Sequence, residues 1–232
     1  MITYDEIIAA SQSGPTPYEW EPGGCLKMVN HYHPFSIKPI EFQTIFEFIA
    51  SRGLKRGLEI GTGVGMSALA AGLAMHETGG RMVTMDSYIE ERHNHYLAYT
   101  ELADVYDESA DAYRGLHFMR HALGIEKTLS QAIGRSPESV PEVVAAYHDG
   151  KKLDYVMIDA EHTDAGLIRD LAAVKPFLAE RHAVFLHDTH CFTPSLVADA
   201  FWFPECKLPH GWNLAVIDHT GVPRDNAGRA AA

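Results

Sequence analysis

Two short clusters hold most of the chain's reactive side chains. Asp159 and His162 stand in Asp159-Ala160-Glu161-His162-Thr163, directly after the near-continuous apolar run Leu153-Asp154-Tyr155-Val156-Met157-Ile158. His187-Asp188-Thr189-His190 directly follows a second apolar run, Ala183-Val184-Phe185-Leu186. Two carboxylates with at most one imidazole form a hard, oxygen-rich donor set. Such a set suits Mg²⁺, Mn²⁺ or Fe²⁺ better than a structural zinc, which favours Cys and His in a closed tetrahedron. Asp159, His187 and Asp188 are therefore the candidate metal ligands. His162 has an ordinary pKa of about 6.5, which suits a group that takes a proton near neutral pH.

A third stretch is glycine-rich: Gly57-Leu58-Glu59-Ile60-Gly61-Thr62-Gly63-Val64-Gly65-Met66-Ser67. Leu58 to Ile60 reads as the end of a buried strand, and Met66 to Met75 as the helix that follows. A strand, a glycine turn and a helix N-terminus together make a nucleotide site, because backbone can approach the ligand closely. Arg81-Met82-Val83-Thr84-Met85-Asp86 reads as a second strand, and its terminal acid lies twenty-one residues beyond Gly65. An acid so placed accepts hydrogen bonds from ribose hydroxyls in α/β nucleotide folds.

The elements needed to hold these groups can be read in order. Pro39 to Ser51 is a helix, with Pro in the first turn and Gly53 after its end. Lys127 to Ile133 is a third strand, and Leu153 to Asp159 a central parallel one. Asp164 to Leu178 is a helix that Pro176 stops or kinks. Ala183 to Leu186 is the next strand. Asn213 to Ile217 is a late one, read as an antiparallel edge. The fold class is α/β: a doubly wound, mostly parallel sheet with helices on both faces. In such sheets ligands lie outside the carboxyl ends of the strands, where Asp86, Asp159 and His187 fall. The chain reads as one domain over residues 1–232. Residues 1–36 form an arm over the pocket, and residues 228–232 a frayed tail.

The turn spells G-x-G-x-G, whereas the dinucleotide fingerprint is G-x-G-x-x-G. Glu59 before it suits a ligand with a cationic amino group rather than a pyrophosphate. S-adenosylmethionine (SAM) is such a ligand. Here the sequence resembles the first motif of class I SAM-dependent methyltransferases. Glu59, Gly61, Thr62, Gly63, Gly65, Ser67, Asp86, Ser87 and Asp159 are then the cofactor-binding candidates. Gly134-Arg135-Ser136 resembles the adenine-side loop of small metal-dependent O-methyltransferases, which adds Ser136. The wider pattern is similar to the macrocin O-methyltransferase and cephalosporin-hydroxylase-associated group, and more distantly to catechol O-methyltransferase. In the former group an acid after the fourth strand and an acidic pair after the fifth hold the metal. Asp159 and Asp188 match, and His187 stands where an acid is usual. In the catechol alignment Thr189 would be a further ligand, and His162 stands where a Lys base is found. The resemblance implies a SAM- and Mg²⁺-dependent O-methyltransferase acting on a phenol, a diol or a glycosylated natural product. Two rivals stand beside it: an NAD-dependent oxidoreductase, and a chain that keeps the fold without the chemistry.

Composition bounds the partners. The net charge is −12, with no basic cluster, so nucleic acid is not expected. No apolar run is long enough to span a membrane. Cys25, Cys191 and Cys206 show no paired spacing, as in a reducing cytoplasm. His31, His33, His93 and His95 read as solvated rather than metal-bound. The aromatic segment from Tyr88 to Leu123 either shapes the substrate site or forms a surface between copies of the chain. A small-molecule substrate is the expected partner.

Overall fold

A computed structural model of the protein describes residues 37–63, 65–87, 116–117, 119–193 and 214–221. The expected N-terminal arm and frayed tail, His31, His33, His93, His95, Cys25, Cys206 and most of the Tyr88–Leu123 segment lie outside these residues.

Six strands of the described residues form one sheet: β1 (Arg56–Ile60), β2 (Arg81–Asp86), β3 (Leu129–Ile133), β4 (Leu153–Ile158), β5 (Leu178–Leu186) and β6 (Ala215–Asp218). Their order is β3-β2-β1-β4-β5-β6. All neighbours run parallel except β5 and β6, which are antiparallel. Among the described residues four helices flank the sheet: α1 (Pro39–Arg52), α2 (Met66–Thr78), α3 (Val140–His148) and α4 (Asp164–Val174). This is the doubly wound α/β sheet with an antiparallel edge that the sequence pattern predicts.

Side chains alternate across each strand, so the sheet has two buried faces. Met82, Tyr155, Met157, Ala183 and Phe185 pack with α1 and α2, through residues such as Ile45, Phe46, Ile49, Leu69 and Met75. Leu58, Ile60, Val83, Val156, Ile158, Val184 and Leu186 pack with α3 and α4, through Val144, Leu167 and Leu171. The helix α2 is buried from Met66 to Met75, sandwiched rather than amphipathic. Counting alternately from Leu58, Ile60, Ile158 and Leu186 puts Glu59, Gly61, Asp159 and His187 on the α1–α2 side. That side is where the site forms.

Several boundaries differ from the sequence reading, most clearly around α4 and at β3. The fourth helix ends at Val174, and Lys175–Phe177 is a single 3-10 turn. Leu178 therefore opens β5 instead of closing the helix. Pro176 has no N–H to continue the helical ladder, which explains the early stop. The third strand begins at Leu129, because residues 126–128 are still in a turn.

Candidate active site

Strand register builds the site. Ile60 is level with Met85 on one side and with Ile158 on the other, and Ile158 is level with Leu186. The next residue of each strand therefore falls in one row: Asp86, Gly61, Asp159 and His187. Backbone bonds continue across that row, from Gly61 N–H to Met85 O (2.9 Å), Asp159 N–H to Ile60 O (2.8 Å) and His187 N–H to Ile158 O (3.1 Å). By contrast Asp154, another strand acid, lies at the far end of β4. Its carboxylate accepts from the N–H groups of Lys55 (2.9 Å) and Arg56 (2.7 Å), a wholly structural role.

The glycine turn leaves β1 with Gly61 at φ +89°. A β-carbon there would come within 2.5 Å of the Asp159 carbonyl carbon and overlap its oxygen. Only glycine lets this turn rest against the start of the Asp159 loop. Asp86 Oδ2 accepts from Thr62 N–H (2.9 Å) and Gly63 N–H (3.1 Å), so the ribose candidate also shapes the turn.

Glu59 lies underneath this turn. It is fully buried, and its Oε2 accepts from the Thr84 hydroxyl at 2.5 Å. That hydroxyl in turn lies 2.5 Å from the Thr62 hydroxyl. Burial pushes the Glu59 carboxyl up to about 8, against the hydroxyls of Ser67 and Thr84; the charges of Asp159 and Asp86 push it further the same way. Its Oε1 has no hydrogen-bond partner among the described residues. An orphaned buried acceptor, with the acids Asp86 and Asp159 close by, fits the cationic ammonium and sulfonium of SAM.

At the ends of β4 and β5, Asp159, His162 and Asp188 bring ligand atoms within 4.8 Å of one another. His162 Nε2 lies 3.1 Å from Asp188 Oδ2 and 3.5 Å from Asp159 Oδ1. His187 Nδ1 lies 3.2 Å from Asp159 Oδ1 and 3.5 Å from Asp188 Oδ2. The two imidazoles thus share one pair of carboxylates, and exposure separates them. The His162 side chain is 47% exposed, at the mouth, and that of His187 is 9% exposed, at the inner wall. Asp188 adopts φ +47°, which turns its carboxylate back toward both rings.

Charge follows this geometry. The Asp159 carboxylate raises the pKa of His162 against partial burial, with Asp188 adding to it. Burial alone would lower His187, but Asp159, Asp188 and Glu41 together push it up to about 12. His187 beside Asp188 holds that carboxyl below its ordinary range. Two carboxylates with one of these imidazoles are a donor set of the kind Mg²⁺, Mn²⁺ or Fe²⁺ takes.

Glu41 is a site residue that sequence reasoning passes over. It is 2% exposed on α1, with Oε2 at 3.6 Å from His187 Nε2. Its visible sequence role is as the third helical residue after Lys38, whose backbone N–H it caps at 2.8 Å. Nothing in that pattern announces a second contact. Ser136 donates to Asp170 Oδ1 at 2.6 Å, tying its loop to α4. Ser87 is half-buried just past β2. Neither lies in the Asp159–His162–Asp188 cluster. No helix among the described residues is long and apolar enough to cross a membrane.

The fold has solved counterparts. One is the SAH-bound methyltransferase PaMTH1 of Podospora anserina, with TM-score 0.58 at 13% identity over 93% of this chain and 86% of that one. Cofactor-bound Rv0187 from MTB gives 0.54 at 14%, over 93% and 88%. TomG of Streptomyces achromogenes, an O-methyltransferase of tomaymycin synthesis solved with SAM, gives 0.52 at 16%, over 87% and 76%. No curated protein matches the sequence. The methyltransferase domain family matches residues 58–189, from the strand before the glycine turn to the threonine after Asp188. With that span covering more than half of the chain, the protein belongs to the methyltransferase domain family and is a class I SAM-dependent methyltransferase.

Proposed function

We propose that this enzyme moves the methyl group of SAM to a hydroxyl oxygen of a small molecule, with a divalent cation held by Asp159, His187 and Asp188. One observation carries the reading. Adjacent strands deliver two carboxylates and two imidazoles to one rim position, next to the glycine turn. The activity given for TomG, O-methyl transfer, is in keeping with it.

A bound divalent cation would lower the pKa of a hydroxyl that it contacts. The chain's own residues do the rest. His162, at the mouth, accepts the hydroxyl proton. Asp188 and Asp159, at 3.1 and 3.5 Å, stabilise the imidazolium so formed. The substrate oxygen forms its bond to the methyl carbon. The carbon–sulfur bond breaks with its electron pair going to sulfur, and the donor leaves as a neutral thioether. Fixed alignment of oxygen, carbon and sulfur supplies up to roughly 7–11 kcal/mol in well-oriented systems. Asp86 holds the ribose, with Ser87 beside it. The Ser136 proton is committed to Asp170, so its oxygen is left to accept from the adenine amino group.

The test is turnover of catechols, phenols and glycosylated diols with SAM and Mg²⁺, read as S-adenosylhomocysteine by mass spectrometry. The expected result is oxygen-methylated product that Asp159→Ala abolishes. Substantial activity in Asp159→Ala would reject the cation role. Methylation at nitrogen or carbon would reject the substrate class.

A further inference from the structure

We propose that Glu41 is a positioning residue that fixes the His187 ring, so that Nδ1 faces the carboxylates of Asp159 and Asp188 as a ligand atom. The inference rests on the cation site proposed above and adds a residue from outside the strand-end clusters.

The ring of His187 lies between two sets of acids. Its Nδ1 is 3.2 Å from Asp159 Oδ1 and 3.5 Å from Asp188 Oδ2, and its Nε2 is 3.6 Å from Glu41 Oε2. None of these contacts has hydrogen-bond geometry, and both ring nitrogens are buried. Glu41 Oε1 is likewise buried and unpartnered among the described residues. A cation that takes the place beside Nδ1 displaces the proton there and leaves a neutral ring with one N–H and one lone pair. With the N–H on Nε2, toward Glu41, the lone pair is on Nδ1. That lone pair then points at two carboxylates, which is unfavourable unless a cation stands between them. The reverse tautomer aims its lone pair at the Glu41 carboxylate and offers the site no third donor. Glu41 therefore selects the tautomer that ligates. A carboxylate behind a ligating histidine commonly governs ring orientation and basicity in this way.

Glu41 is itself held. Its Oε2 accepts from Lys38 N–H at 2.8 Å, which seats the carboxylate at the start of α1. The strand alternation that puts His187 on the α1 side makes the meeting possible. The usual acid at this position needs no tautomer partner, so His187 and Glu41 are required together.

The experiment measures Mn²⁺ affinity of the full chain from the free-ion electron paramagnetic resonance signal, with no substrate present. The proteins are wild type, Asp159→Asn, Glu41→Gln, His187→Gln and the Glu41→Gln/His187→Gln double variant. Glutamine at 41 keeps an oxygen to cap Lys38 and removes the charge. We expect Asp159→Asn to lose specific binding and Glu41→Gln to weaken it about 10- to 100-fold. We expect no further loss from Glu41→Gln once His187 is Gln. If Glu41→Gln binds like wild type, or costs as much without His187 as with it, the positioning role is overturned and the cation site stands. If wild type and Asp159→Asn bind alike, the cation site falls and the inference falls with it.

Discussion

Glu59 gives the sharpest test, because its environment makes opposite demands at different pH. The carboxyl is fully buried, and its ordinary pKa of 4.5 is pushed up to about 8. The folded protein therefore holds a proton that the unfolded chain has already released. Stability from this group is complete below pH 4.5, falls progressively between 4.5 and about 8, and is gone above that. At about 1.36 kcal/mol per pH unit, the interval corresponds to at most about 5 kcal/mol. Glu59→Gln keeps the shape and the acceptor for Thr84, and it cannot ionise. Urea denaturation at pH 5 should give the two proteins similar free energies, within about 1 kcal/mol. At pH 8.5 the variant should be more stable by several kcal/mol. Above pH 8, where the Glu59 carboxyl is ionised, SAM affinity measured by calorimetry should fall in the variant, because a neutral amide no longer answers the ligand's positive charge. Parallel stability curves for the two proteins between pH 5 and 8.5 would refute the reasoning.

Other perturbations give separate readings. His162→Gln should lower turnover strongly and leave the calorimetric SAM affinity near that of wild type. Gly61→Ala should cost about 1–3 kcal/mol for its φ of +89° alone, and more for the overlap with Asp159, as a lowered urea midpoint with lost SAM binding. Asp218 ties β6 to α1 through Arg52 at 3.3 Å, and it accepts from the Thr220 N–H two residues on at 2.8 Å. Burial would raise its carboxyl, but Thr220 and Arg52 outweigh this and hold it below 3.8. Its contribution is therefore present above pH 3.8 and lost as pH falls through the lower folded value. Asp218→Asn should cost about 1–3 kcal/mol at pH 7 and flatten the acid limb of the stability curve.

The rim was legible because strand ends carry their own punctuation. Asp86 closes β2, Asp159 follows a near-continuous apolar run, and His187 follows an unbroken one. The glycines of the turn announce a backbone that needs φ > 0. The end of α4 was blurred because apolar residues continue past Val174, and periodicity cannot tell a helix from the strand that Pro176 begins to release. Glu41 was hidden for another reason. A helix-capping acid and a site acid look alike in sequence, and only the packing of α1 over β5 distinguishes them. Asp86 shows the same doubling, since its carboxylate already serves the amides of Thr62 and Gly63. Exposure alone separates His162 from His187, and no spacing rule encodes it.

The overlap forbidden at Gly61 also has a thermodynamic consequence. The bend proposed to receive the methyl donor and the loop that begins with Asp159 touch through main-chain atoms, with no side chain between them to absorb movement. A donor that seats the bend therefore also seats the Asp159 carboxylate. Occupancy of either ligand should tighten the other by the same factor, whichever arrives first.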